Sequence, residues 1–63
     1  MTDELSPLHS AATTLRELTS RITAVADQRL EAGDEGAAGD LYEVERALRT
    51  AARKLARAMQ PRR

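Results

Sequence analysis

Apolar residues recur at alternating intervals of three and four in both halves of this 63-residue chain. A repeat of 3.5 residues puts each set on one stripe of an α-helix and is typical of coiled-coil packing. The chain is therefore predicted to form two amphipathic helices. Each has one apolar stripe, called its seam, that must be buried against another helix. The first seam consists of Leu8, Ala11, Leu15, Leu18, Ile22, Val25 and, beyond Arg29, Ala32. The second seam consists of Leu41, Val44, Leu48, Ala51, Leu55 and Ala58.

Capping signals predict where the first helix begins and ends. Ser6 is followed by Pro7, and serine is a favoured N-cap, whereas proline is tolerated at the first helical position. Gly33 is a natural left-handed cap for the other end. These signals predict a first helix over about residues 6–32, followed by a glycine-rich connector over residues 33–39.

The second helix is predicted from a similar pair of signals. Asp40 with Glu43 three residues later matches the acidic form of a capping box. Pro61 cannot continue the interior of a helix. The second helix is therefore expected over about residues 41–60, with a basic tail at residues 61–63.

The short connector predicts that the two helices fold back on each other as an all-α antiparallel hairpin, with residues 1–63 forming one domain. The predicted alignment sets Ile22 opposite Ala51 and Val25 opposite Leu48. A chain this short buries only about 60% of its unfolded surface, and it has no cysteine to form a disulfide. We therefore expect a homodimer in which two coiled-coil-like hairpins form a four-helix bundle and cover both seams.

Arg29 interrupts the first seam and allows two interpretations. A polar residue at one seam position can fix register or oligomeric state, and a salt bridge to Glu45 or to another chain would then satisfy it. Alternatively, the helix end frays at this point. Acid and base are also spaced to pair along each helix, at Glu17 with Arg21 and at Glu45 with Arg49.

The chain carries few side chains suited to catalysis or to ligand binding. Phe, Trp and Cys are absent and Tyr42 is the single aromatic residue, so groups that line most small-molecule pockets are missing. His9 has no second ligand at helical spacing. The hydroxyl of Tyr42 is expected in water, over the connector. We expect no catalytic, cofactor-binding or metal site, no small-molecule substrate and no enzymatic activity.

Composition also bears on the compartment and the source. Without cysteine there is no disulfide framework, which fits a reducing compartment. The acidic start MTDELSPLHS lacks the apolar core of a secretory signal, and no apolar run approaches the roughly 20 residues of a membrane span. A cytoplasmic protein with no membrane contact is predicted. Twelve alanines, and nine arginines against one lysine, are typical of a bacterial genome rich in G and C.

Charge divides the chain into an acidic and a basic part. Residues 1–45 hold ten acidic and three basic residues, whereas residues 46–63 hold seven basic residues and no acidic one. Four arginines at helical spacing share one face of the second helix and form a basic stripe: Arg46, Arg49, Arg53 and Arg57. This stripe could grip nucleic-acid phosphates. Alternatively, part of its charge is met by acidic neighbours in the fold, and the remainder sets the orientation of the dimer or attracts an acidic protein partner.

The sequence also places an apolar patch at the end of the hairpin where the chain begins and ends, formed by Leu5, Leu8 and Met59. The patch either covers the end of the bundle or docks a protein partner. Taken together, these features favour a small adaptor or regulatory protein that acts through self-association and protein-protein interaction. The alternative hypothesis is a nucleic-acid-binding regulator that uses the basic stripe.

Overall fold

Two α-helices, α1 (Ser6–Glu31) and α2 (Glu35–Ala58), pack against each other along their length in a computed structural model that describes residues 5–61. The described residues contain no β-strand, and the predicted all-α hairpin is confirmed. The hairpin is a single layer with extents of 52 × 20 × 10 Å and a radius of gyration of 15.1 Å. A globular domain of this length would have a radius of gyration of about 11 Å, so the chain is an open rod.

The turn between the helices depends on Gly33, whose φ of 84° lies in the left-handed region. The amide of Asp34 donates to the carbonyl of Arg29 at 2.9 Å, and the amide of Gly33 donates to that of Leu30 at 3.1 Å. This pair of bonds is a Schellman motif, which satisfies carbonyls that the helix end leaves open. The prediction of a left-handed cap at Gly33 is confirmed.

The start of α2 differs from the prediction. Asp34 caps the helix by accepting a hydrogen bond from the amide of Ala37 at 3.2 Å, and Glu35 lies in the first turn. A carboxylate at the N-cap and another beside it stabilise the helix, because they interact favourably with the positive end of its dipole. The predicted connector over residues 33–39 and the capping box at Asp40 are therefore wrong, because the helix begins about six residues earlier.

The other helix ends lie closer to their predicted positions. Pro7 is in the first turn of α1, as predicted, but Ser6 is the first helical residue and not its cap. Leu5 takes the N-cap position without a side-chain cap bond. The C-terminal ends fall within two residues of the predicted ones, a difference typical of fraying helix ends.

Each helix contacts the other through a line of residues that includes every second member of the predicted seam, such as Leu15 on α1 and Leu48 on α2. On α1 the half-buried or buried residues are Leu8, Ala12, Leu15, Thr19, Ile22, Thr23 and Ala26. On α2 they are Ala37, Ala38, Leu41, Tyr42, Glu45, Leu48, Ala52, Leu55 and, just beyond the helix, Met59. The most buried of these, Thr19, Ala26 and Ala38, are small, and small side chains let two helices approach closely. The intervening seam residues, Leu18, Val25 and Val44 among them, are exposed, so only part of each predicted seam faces the other helix within one chain.

The alignment of the two helices also differs from the prediction. The hydroxyl of Thr23 donates to Glu45 Oε2 at 2.9 Å, whereas the predicted alignment would put Thr23 opposite Thr50. The hydroxyl of Tyr42 donates to Asp27 Oδ1 at 2.5 Å. Because α2 follows α1 after only three residues, the helices pair four or five positions away from the alignment expected for a longer connector.

Candidate interaction surfaces

The residues that follow the contact line on each helix meet on one side of the hairpin, which is polar. Thr23 follows Ile22 on α1, and Tyr42 follows Leu41 on α2; both make the cross-helix hydrogen bonds described above. The residues that directly precede Ala12, Thr19 and Ala26 on α1, and Glu45, Ala52 and Met59 on α2, must then share the opposite side. Those residues are apolar and form what we call the apolar side: Ala11, Leu18, Val25, Val44, Ala51 and Ala58.

The apolar side is open to solvent along the whole rod. Leu18 is 39% exposed, Val25 is 41% exposed and Val44 is 43% exposed. Each of these is a seam residue predicted from the sequence, and each lies outside the contact within the hairpin. Exposed apolar residues that form a continuous stripe, and are not scattered singly, mark an interaction surface.

The larger seam residues lie between the apolar side and the helix contact. Leu15, Ile22, Leu41, Leu48 and Leu55 are all half-buried. No large side chain among residues 5–61 is fully buried. One hairpin therefore covers only one flank of these residues, and the other flank continues into the apolar side.

The polar side is held together by a small hydrogen-bond network around Glu45. Its Oε2 accepts bonds from Arg49 Nη2 at 2.9 Å and Arg49 Nε at 3.2 Å, in addition to the bond from Thr23. This is the Glu45 to Arg49 pair that the spacing predicts. The bond from Arg49, with the bond from Thr23, holds the pKa of Glu45 below its usual value. Glu45 thus links α1 to α2 in its charged form.

Tyr42 forms the second polar link between the helices. Its hydrogen bond to Asp27 raises the pKa of its phenol, because the bond needs the phenolic proton. The expectation that its hydroxyl lies in water is therefore wrong, because the hydroxyl donates to Asp27 of the other helix. Two charged or polar residues of α2 therefore fix its position against α1.

A shallow groove of about 500 Å³ runs along this polar side. It is lined by Arg16, Thr19, Ser20, Thr23, Ala24, Asp27 and Arg49. Its threonines are already engaged, since the hydroxyl of Thr19 donates to the carbonyl of Leu15 at 2.7 Å and that of Thr23 lies 2.9 Å from both the Thr19 carbonyl and Glu45. The groove therefore presents two arginines and one carboxylate with few uncommitted hydroxyls.

The four members of the basic stripe are exposed on α2, and Arg49 among them lines the polar groove together with residues of α1. The four arginines differ in whether their guanidinium groups are bound within the chain. Arg49 is bound to Glu45, and Arg53 Nη2 donates to the hydroxyl of Thr50 at 3.2 Å. Arg46 and Arg57 extend outward without an acidic neighbour within salt-bridge distance among residues 5–61.

The structure also shows the positions of Arg29, of the predicted ion pair between Glu17 and Arg21, and of the predicted apolar patch. Arg29 is exposed and forms no salt bridge to Glu45, because the alignment of the helices sets Glu45 opposite Thr23, six positions away from Arg29. Between residues 5 and 61 this is also the one salt bridge, so Glu17 and Arg21 do not form theirs. At the open end of the hairpin, Leu5 is 40% exposed while Leu8 and Met59 are half-buried.

The polar cross-helix contacts were missed at the sequence level, although a signal for them exists. Contact residues on each helix recur every seven positions and are small or polar, as at Ala12, Thr19 and Ala26 on α1 and at Ala38, Glu45 and Ala52 on α2. This second repeat runs beside the seam. Together the two repeats give three positions in every seven residues that lie on one broad stripe, which is typical of helices that contact more than one neighbour.

No protein-family model matches the chain, and no curated protein or solved structure matches it. Within residues 5–61, neither helix combines the length and the apolar character needed to cross a membrane. The same residues hold no cluster of three or more His, Cys, Asp or Glu side chains placed to bind a metal ion. The surfaces of the hairpin, and the apolar side above all, are what indicate a function.

Proposed function

We propose that this chain is a non-enzymatic cytoplasmic adaptor or regulatory protein that self-associates through its apolar side. Two hairpins would pack face to face as a four-helix bundle. The observation that carries the proposal is the open stripe at Leu18, Val25 and Val44, next to a core in which no large described side chain is fully buried. Covering the stripe with a second copy would complete the burial of both seams.

The size of the surface supports this proposal. The broad face of the rod measures 52 by 20 Å, which corresponds to about 1,000 Å² per copy, and a standard stable interface buries about 800 Å² on each partner. Obligate homodimer interfaces resemble a domain core cut in half. A half-buried row of leucine and isoleucine beside an exposed apolar row has that character.

Such a dimer would leave the polar sides and the basic stripes on its outer surface. Each copy would present Arg46, Arg53 and Arg57 outward, together with the groove lined by Arg16 and Arg49. Charged outer surfaces set partner choice and encounter rate more than affinity. We therefore propose that the bundle serves as a scaffold whose outer surfaces bind a further protein.

Sedimentation equilibrium over a range of protein concentrations tests self-association directly. We expect a dimer at micromolar concentration for the unaltered chain and at least a ten-fold weaker dimer for Leu18→Glu, because a carboxylate would be buried in the bundle. Leu30→Glu is the matched control, since Leu30 is 49% exposed and lies off the apolar side. A folded monomer at all concentrations, or equal effects of the two variants, would contradict the proposal.

Binding of nucleic acid through the basic stripe is a second candidate function. It is favoured by one observation, the outward and exposed position of Arg46, Arg53 and Arg57. Retention of RNA or DNA by the purified protein should then disappear by about 0.3 M salt and in the variant Arg46→Glu with Arg53→Glu. Retention that is insensitive to both would exclude the stripe as a phosphate contact.

A further inference from the structure

We infer that the two copies pack with their turns at opposite ends of the bundle, and that Asp40 of each copy pairs with Lys54 of the other. This inference rests on the proposed self-association and adds the orientation and the specific contact. It follows from how the hairpin arranges its charges along its length.

Folding converts the charge division of the sequence into a rod with two oppositely charged halves. The half next to the turn, residues 23–46, holds seven acidic residues and two basic ones. The described remainder, residues 5–22 and 47–61, holds one acidic residue and six basic ones. The contact between Thr23 and Glu45 marks the boundary, since it lies near the middle of the rod.

Two face-to-face arrangements with two-fold symmetry are available to such a rod. An axis along the rod would set both turns at the same end, so that acidic half lies on acidic half. An axis across the rod would set the turns at opposite ends, so that each acidic half lies on a basic half. Apolar burial is similar in both, but like charges oppose the first and opposite charges favour the second. Electrostatics therefore selects the opposite-end arrangement.

Asp40 and Lys54 are the charges placed to make this selection at close range. Together with Ala47 they recur every seven residues on α2, one turn before the apolar-side residues Val44 and Ala58. They therefore flank the apolar side at the rim of the proposed interface. Both are exposed, and neither side chain makes a hydrogen bond or ion pair within residues 5–61.

The opposite-end arrangement brings these two residues together by symmetry. An axis across the rod sets each helix antiparallel on its own copy. If it crosses α2 (Glu35–Ala58) at the middle of the helix, beside Ala47, Asp40 and Lys54 lie equally far from the axis. Asp40 of one copy then faces Lys54 of the other, and the contact occurs twice. Within one chain the two residues are fourteen positions apart, about 21 Å along the helix, so they cannot pair with each other.

Charge reversal tests the specific contact. In low salt we expect Asp40→Lys and Lys54→Asp each to weaken dimerisation several-fold, and the double variant to recover most of that loss. Arg53→Asp is the matched control: it changes the charge of the same half by the same amount, but Arg53 lies on the outward side, so it should weaken the dimer much less than Lys54→Asp. A double variant no better than the single ones would overturn the pairing.

Distance measurement tests the orientation independently. The chain has no cysteine, so a spin label on Glu35→Cys at the turn reports one distance per dimer. Residue 35 is twelve positions from residue 47, which predicts a separation of about 36 Å or more for turns at opposite ends. A distance below about 20 Å would place the turns together and overturn this inference while leaving self-association intact. Absence of any dimer would overturn both.

Discussion

Glu45 joins the two helices because it is a polar residue on the contact line of α2. Its carboxylate accepts hydrogen bonds from Thr23 of α1 and from Arg49 of its own helix. Its side chain is only 17% exposed, whereas that of Arg49 is 60% exposed. A carboxylate in this position contributes to stability only while it is ionised, so the contact is sensitive to acid.

We predict that Glu45→Gln lowers stability near neutral pH and that the difference from the unaltered chain disappears in acid. The pKa of Glu45 is lower in the folded chain than its usual 4.5, so its contribution is present above about 4.5 and is lost as the pH falls through the folded value. Chemical unfolding monitored by circular dichroism at several pH values measures this difference. A gap between the two proteins that persists in strong acid would contradict the assignment.

Tyr42 gives a second prediction at the level of one residue. Its pKa is raised above 10.0 by the hydrogen bond to Asp27, so the contact is present below the unfolded pKa and is lost as the pH rises through the folded value. As the only tyrosine in a chain without tryptophan, Tyr42 can be titrated by phenolate absorbance. Asp27→Ala, which removes the acceptor oxygen, should bring the titration toward its ordinary pH; an unchanged curve would show that the bond is not formed.

The turn illustrates how an element boundary depends on competition between local signals. Asp34 and Asp40 are both acceptable N-caps, and the three glycines resemble a flexible connector. The Schellman turn at Gly33 leaves Asp34 in position to cap α2, which makes Gly36 and Gly39 helical. The helix tolerates them at a cost of about 1 kcal/mol each relative to alanine, because tertiary packing on α1 supplies most of its stability.

Alanine substitutions should therefore have opposite effects at two of these glycines. Gly33→Ala should destabilise the hairpin by about 1–2 kcal/mol, since an alanine is strained at a φ of 84°. The added Cβ meets no neighbour within 4 Å, so the cost comes from the backbone alone. Gly39→Ala should stabilise it by about 0.5–1 kcal/mol, since the backbone is helical and the space is open. Unfolding free energies compare the two. Stabilisation by both would place the turn elsewhere.

The whole molecule is an open rod whose stability we expect to depend on its partner. A flat single layer leaves one flank of every large apolar side chain uncovered. If a second copy covers that flank, folding and association are coupled, and the stability of the chain is inseparable from its concentration.

The thermal midpoint should accordingly rise by several degrees for each ten-fold increase in protein concentration. Leu18→Glu should lower the midpoint and reduce this dependence, whereas Leu30→Glu should leave the dependence intact. Circular dichroism melting curves at a series of concentrations provide the measurement. A midpoint that stays constant over a hundred-fold range would indicate that the hairpin is stable alone.

Much of this architecture follows from the sequence by itself. The 3.5-residue repeat determines two amphipathic helices, because only an α-helix brings such positions onto one stripe. Gly33 favours a turn at the end of the first helix, because a glycine has no Cβ to oppose the positive φ of a left-handed cap. The division of charge and the absence of cysteine are also read directly from the residues.

The tertiary structure decided which flank of each stripe faces the other helix of the hairpin. Leu15 and Leu48 belong to both the seam and the contact line, so periodicity alone does not separate a partner on one side from a partner on the other. Small residues such as Thr19, Ala26 and Ala38 lie in the contact, since close approach of two helix backbones needs small side chains between them. That choice leaves Leu18, Val25 and Val44 outward, on the surface from which we infer self-association.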